Sequence, residues 1–141
     1  MTIYLDTSVL VTALTHEPES HRVQTWLAQQ DAEDLAISDW VATEFSSALS
    51  LKLRAGRIDA AARMLSLSEF RQLSVETFSN LAVLGSAFRT ATGFVDQIEL
   101  GLRGADALHL AIAAEHGAQL CTRDQKMAQA GAKLGIRTQL I

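Results

Sequence analysis

The sequence predicts an α/β protein with three layers, α/β/α, built on a mostly parallel central sheet. Short apolar runs rich in β-formers alternate along the chain with longer segments of helical periodicity. That alternation implies crossover connections, which pair strands in parallel and place helices on both faces of the sheet. The composition, 48% hydrophobic and 20% charged, argues for a folded globule and against a disordered chain. A length of 141 residues suits one domain, residues 1–141, burying roughly two-thirds of its unfolded surface. No internal repeat, low-complexity tract or linker interrupts it.

Taken in order, Ile3-Tyr4-Leu5 reads as a buried strand that runs straight into Asp6-Thr7-Ser8. Thr7 or Ser8 is expected to cap a short helix through Leu14, with Val9, Leu10, Ala13 and Leu14 inward. Pro18 breaks that helix. A second helix over about 19–30 carries Val23, Trp26 and Leu27 at helical spacing. Leu35-Ala36-Ile37 is a second strand, and Ser38-Asp39 offers a cap for a long helix over 39–54 that stops at Gly56. The spacing predicts a helix over 58–67 with Asp59 near its start. Leu73 and Val75, alternating with Gln72 and Ser74, predict a strand. A helix is expected over 78–91, ending at Gly93, and then a glycine-containing loop over 93–104 with one helical turn. A compact apolar helix over 106–116 closes at Gly117. A strand over 119–122, a helix over 124–134 and a strand over 137–140 complete the chain.

Bulk properties narrow the function. A net charge of −4 gives no global positive field to attract nucleic acid or an anionic membrane, so nucleic-acid chemistry would need cations, a local basic patch or a partner. The single cysteine, Cys121, excludes an intramolecular disulfide and fits a reducing cytoplasm. The start of the chain lacks the pattern of a signal peptide, and no apolar run approaches ~18 residues. A soluble cytoplasmic protein without membrane contact is the expectation.

Four acids stand in awkward places. Asp6 closes the first strand, on the rim where open α/β sheets place ligands. Glu44 falls inside the stripe Val41, Phe45, Ala48, where a carboxylate must be paired, protonated or bound to a cation unless it lies at the edge and reaches water. Asp106 starts the inward side of a helix that is nearly all apolar, four residues before Leu110. Asp124 follows the strand Leu120-Cys121-Thr122. Each has an ordinary explanation as a cap, a turn or a helix-dipole partner. In a parallel sheet, however, these positions converge on one edge. Four carboxylates there repel one another unless a hard divalent cation, Mg²⁺ or Mn²⁺, neutralises them. Such ions activate water and stabilise charge on a phosphodiester. No GxxxxGK[ST], CxxC or HExxH offers a competing cofactor.

These residues resemble a known family. Ile3-Tyr4-Leu5-Asp6-Thr7-Ser8, Ala42-Thr43-Glu44-Phe45, Arg103-Gly104-Ala105-Asp106-Ala107-Leu108-His109-Leu110-Ala111 and Thr122-Arg123-Asp124 are similar, in order and over nearly the whole chain, to the PIN-domain family and most of all to VapC-like toxins. The resemblance implies a PIN-like fold and a metal-dependent endoribonuclease, the toxin of a type II toxin–antitoxin pair, with Asp6, Glu44, Asp106 and Asp124 as its acidic site. It further implies an RNA substrate, a cognate antitoxin that wraps the toxin and blocks the site, and a homodimer that reaches operator DNA only through the antitoxin. Ser8 and Thr122 match hydroxyl positions of the motifs and are assigned to orienting the carboxylates or a metal-bound water, beside an equally ordinary role in capping. Several relatives carry a further acid shortly after the fourth, where this chain has Gln125 and Lys126, which leaves open whether one ion or two is held.

Other residues read as structural. His109 lies one turn beyond Asp106 and is expected to pack near polar groups rather than touch a phosphate. Cys121 reads as a small buried hydrophobe, Trp26 and Trp40 as packing residues, and Arg54, Arg57 and Arg63 as either RNA guides or surface charge. Two rival functions stay open: a catalytically weak PIN-like module that binds RNA or a partner, and a phosphatase using Asp6 as nucleophile. The phosphatase pattern wants a second Asp two positions on, where Ser8 stands.

Overall fold

Tyr4 and Leu5 are fully buried because β1 (Ile3–Leu5) lies mid-sheet, paired in parallel on both sides. The computed structural model describes all residues 1–141. The other strands are β2 (Leu35–Ser38), β3 (Ser79–Leu81), β4 (Gln119–Thr122) and β5 (Thr138–Leu140). They form one five-stranded, all-parallel sheet in the order β3-β2-β1-β4-β5. Tyr4 stands level with Ala36 on one side and Leu120 on the other. The interior strands are apolar and closed to water on both faces; the edge strands β3 and β5 are polar and largely exposed, as parallel sheets and their managed edges require.

Seven helices connect the strands: α1 (Thr7–Leu14), α2 (Ser20–Ala28), α3 (Asp39–Arg54), α4 (Ala60–Glu76), α5 (Gly85–Val95), α6 (Gly104–Glu115) and α7 (Gln125–Lys133). The chain steps from β1 to β2 to β3 in one direction, then returns across the sheet to β4 and β5. Right-handed crossovers therefore place α1–α4 on one face and α5–α7 on the other. The packing agrees: α1 lies against α2, α3 and α4, and α6 against α5 and α7. The predicted three-layer α/β/α architecture is what the chain adopts. β1 and β4 are neighbours on opposite sides of the reversal, so the crevice beyond their ends is the switch point where such sheets bind ligands.

Two expectations over 58–91 are corrected. Leu73 and Val75 are not in a strand; they lie in α4, which runs on to Glu76 instead of stopping near Leu67. Ser66, Phe70 and Leu73 keep helical spacing on the inward face, while Val75 is 85% exposed; the apparent alternation came from the exposed residue. The third strand is Ser79–Leu81, placed by sequence within a helix over 78–91, and that helix starts only at Gly85. An edge strand of Ser-Asn-Leu carries no apolar signature. A smaller correction concerns α1, whose cap is Asp6 rather than Thr7 or Ser8: its carboxylate accepts from the Val9 amide.

Gly131 in α7 shows how closely the second helical layer sits on the sheet. A Cβ there would stand 2.3 Å from Thr138 Cγ2 and 2.9 Å from Leu110 Cδ2. Threonine is stiff at χ1 and cannot swing aside freely. Gly131→Ala is therefore expected to destabilise the fold by about 1–3 kcal/mol, although alanine gains about 1 kcal/mol of helix propensity. Urea unfolding checks this, and an unchanged or raised midpoint would contradict it.

Candidate functional site

The residues that close β1 and β4 are drawn together by hydroxyl bonds. Asp6 follows β1 and is 2% exposed. Ser8 Oγ donates to its Oδ1 at 2.5 Å and Thr122 Oγ1, at the end of β4, donates to its Oδ2 at 2.6 Å. The Arg123 amide donates to Ser8 Oγ, and the Asp124 amide to Thr122 Oγ1. These bonds fix the turn after β4 against the turn after β1. The Arg123 guanidinium, bonded to Thr12 Oγ1 at 2.7 Å, anchors the turn from behind. Asp124 then caps α7, its Oδ1 accepting from the Lys126 and Met127 amides. The ordinary capping role and a place at the crevice hold for Asp6 and Asp124 together.

Glu44 approaches from α3. It is half-buried at the edge of the Val41–Phe45 stripe, so its carboxylate is paired and also reaches solvent. Thr7 Oγ1 donates to Oε1 at 2.7 Å, and His109 Nε2 bonds the same oxygen. Asp106, in the first turn of α6, lies on the opposite side and is half-buried; Asp124 and Glu44 repel it, Arg103 and His109 attract it. Asp6, Glu44, Asp106 and Asp124 all line one cavity of about 160 Å³, together with Thr7, Ser8, His109 and Met127. Thr122 sits behind Asp6, fully buried. A larger cavity of about 730 Å³ lies along α1 and α4, walled by mixed polar and apolar side chains such as Gln24, Ile58, Ser66 and Glu69. Donor chemistry, not volume, distinguishes the smaller one.

Crowding shows in the acidities. Burial raises the Asp6 carboxyl above its ordinary range, against the opposing pull of His109, Ser8, Thr122 and the Val9 amide. Asp106 is raised by burial and by the Asp124 charge. Glu44 goes the other way: burial would raise it, but its bond to His109, the His109 charge and the Thr7 hydroxyl together hold it low. The Cys121 thiol is pushed up to about 12 by burial and by Asp6, which leaves it an inert core group, as its sequence context predicts.

The arrangement suits a hard cation in donor type. Both bonds to Glu44 fall on Oε1 and both to Asp124 on Oδ1, so Oε2 and Oδ2 remain as acceptors facing no hydrogen. The Asp106 carboxyl has only charges for company. As placed, the side chains do not already form a metal shell of three or more His, Cys, Asp or Glu groups; the acids line the wall of the cavity, two of them turned to helix caps. All-carboxylate oxygen donors are the set that Mg²⁺ or Mn²⁺ prefers.

A pH dependence follows. The folded-state pKa values of Asp6 and Asp106 are raised, so the metal-free fold takes up their protons more readily than the unfolded chain. Its thermal midpoint is expected to rise as pH falls from about 7 to about 5. At lower pH the gain reverses, because Glu17 and Glu44, both held low, lose their favourable charge. Saturating Mn²⁺ should flatten the rise by holding the carboxylates ionised. A metal-free midpoint that falls monotonically with acidification would contradict this.

Sequence reasoning did not find Thr7 or Tyr4. Thr7 bonds Glu44 directly, and Tyr4 Oη reaches both Ser38 Oγ at 2.8 Å and His109 Nδ1 at 3.0 Å. The one available signal was a tyrosine in an otherwise aliphatic interior strand, since a buried phenol needs a polar partner.

Comparison with known proteins places the fold. The PIN domain family model matches residues 3–133. Among solved structures, the chain is similar to VapC20 of Mycobacterium tuberculosis, a toxin that cleaves the sarcin–ricin loop (18% identity, 92% of this chain and 95% of that one, TM-score 0.71). It is also similar to VapBC2 of Rickettsia felis bound to a promoter DNA fragment (17%, 100% and 99%, TM-score 0.69) and to FitAcB of Neisseria gonorrhoeae (19%, 97% and 96%, TM-score 0.69). At these identities the likeness speaks for the fold. No curated protein matches the chain. With the family model spanning all four acids and the sheet that brings them to one cavity, the chain belongs to the PIN-domain family and has a fold shared with VapC toxins.

Proposed function

We propose that the protein is a Mg²⁺- or Mn²⁺-dependent endoribonuclease and the toxin of a toxin–antitoxin pair. The observation that carries this reading is the convergence of Asp6, Glu44, Asp106 and Asp124 on one cavity at the sheet's switch point, in a PIN domain. Bound there, the cation supplies charge neutralisation for a phosphodiester and a more acidic water. The four carboxylates hold it. Ser8 and Thr122 fix both oxygens of Asp6, so that this carboxylate cannot rotate out of the cavity. No side chain is needed as a nucleophile: Cys121 is buried and Ser8 Oγ is spent on Asp6. That bond also weighs against the phosphatase, whose second acid would occupy the position of Ser8.

The cognate antitoxin, the homodimer and operator DNA bound through the antitoxin belong to the same proposal. It is supported by likeness to VapBC2, solved with promoter DNA, and by a chain too acidic to seek DNA itself. A cytoplasmic, membrane-free setting is part of the reading; no helix is long and apolar enough to cross a membrane. The test is cleavage of a mixed structured RNA pool by antitoxin-free protein, with Mg²⁺, Mn²⁺ or EDTA. Cuts at a few defined positions, lost in EDTA, are expected. Folded protein that cuts nothing across the pool would leave the RNA- or partner-binding module as the function.

A further inference from the structure

His109 is a helical residue with both ring nitrogens committed. It is 2% exposed although it borders the cavity. Nε2 bonds Glu44 Oε1, and Nδ1 bonds Tyr4 Oη, which bonds Ser38 Oγ. The polarity can be read from the Glu44 end. An ionised carboxylate only accepts, so Nε2 carries the hydrogen. Nδ1 meets the Tyr4 hydroxyl, which can donate to it or accept from it. Ser38 Oγ, which accepts from the Val41 amide as the cap of α3, bonds Tyr4 Oη on its other side. The chain Ser38–Tyr4–His109–Glu44 thus runs from β2 through β1 and α6 to α3. The rings of Tyr4 and Trp40 flank the imidazole, at centroid distances of 5.8 and 6.5 Å, and restrict its rotation.

We infer that His109 is a positioning residue: it pins Glu44 Oε1 and so presents Oε2 to the cation. Direct contact with RNA is excluded by its burial and its fully used nitrogens. The inference rests on the metal-site reading above, and its test separates the two. Mn²⁺ binding is measured by isothermal titration calorimetry on the full chain, with far-UV circular dichroism to check folding. Asp6→Asn should remove binding. His109→Asn, whose amide stays near Tyr4 but withdraws from Glu44, should weaken it about tenfold. His109→Gln, which extends an amide towards Glu44, should recover to within about threefold of wild type. In a Glu44→Gln background, His109→Asn should have no further effect, because the residue acts only through Glu44.

If His109→Asn binds Mn²⁺ within about twofold of wild type while Asp6→Asn does not bind, the inference is wrong and the metal site stands; about twofold lies well below the loss expected of an orienting partner. An equal loss in the Glu44→Gln background overturns it too. Wild-type protein that takes up no Mn²⁺ removes the metal site and the inference together. Should His109→Asn fail to fold, Tyr4→Phe carries the test: it leaves Nδ1 without its partner and should weaken Mn²⁺ by about three- to tenfold, and wild-type affinity there overturns the inference.

Discussion

Asp6→Asn is expected to lower metal-dependent RNA cleavage by about 10²–10³-fold while leaving the protein folded. The two halves of that expectation come from one local structure. Asp6 has the most buried carboxylate of the four acids, fixed by Ser8, Thr122 and the Val9 amide. Asparagine keeps the shape and an acceptor for Ser8 and the Val9 amide, and the Thr122 hydroxyl can rotate to accept from its amide nitrogen. What it removes is charge, which burial already disfavours at this position. The metal-free thermal midpoint should therefore stay level or rise. On the proposed reading, a ligand essential to function and a source of instability without its cation are the same group, a common bargain at functional sites. Single-turnover cleavage and thermal unfolding of both proteins check the pair of effects. Cleavage within about tenfold of wild type would remove Asp6 from the site, being far short of the loss of a principal charge-stabilising group. A collapsed midpoint would make its role structural.

The sequence revealed the interior of the fold and the edge strand β5, and concealed the other edge, β3. β1, β2 and β4 announce themselves because a parallel strand covered on both faces must be mainly apolar, and each ends in a polar residue or runs straight into one. β3 needs only backbone pairing on one side, so Ser79-Asn80-Leu81 carries no pattern. The end of α4 was misread for a related reason: Val75 faces water, and one exposed valine was enough to imitate alternation. At the site, the four acids were legible because carboxylates at strand ends and on inward helix faces conflict with burial. Their pairing was not. His109 was rightly expected to pack among polar groups, yet its contact with Glu44 spans 65 positions of sequence and depends on how α3 meets α6. Asp124 looked like a cap and is one; local spacing does not reveal that a cap also faces a cavity.

Glu44 and Phe45 are neighbours whose substitutions should have opposite consequences, which makes them a sharp test of how α3 serves the site. Phe45 is fully buried and stacked on Phe70 of α4, with ring centroids 4.4 Å apart and planes at 13°. Phe45→Ala opens a cavity beneath both helices and is expected to cost about 3–5 kcal/mol, read from urea unfolding. Domains of this kind hold about 5–15 kcal/mol, so a folded population remains at low temperature. In that population Mn²⁺ affinity should stay near the wild-type value, because α1, with Thr7, and α6, with His109, still grip the Glu44 carboxylate. Glu44→Gln should do the reverse. The amide still meets Thr7 and His109, so stability should change by no more than about 1 kcal/mol, while Mn²⁺ affinity falls at least about tenfold with the lost charge. Two adjacent residues, 100° apart on one helix, would then divide the work: one side chain seats the helix in the core, the other faces the cavity. If Phe45→Ala weakens Mn²⁺ as much as Glu44→Gln does, the grip on Glu44 comes from the packing of α3 and not from Thr7 and His109.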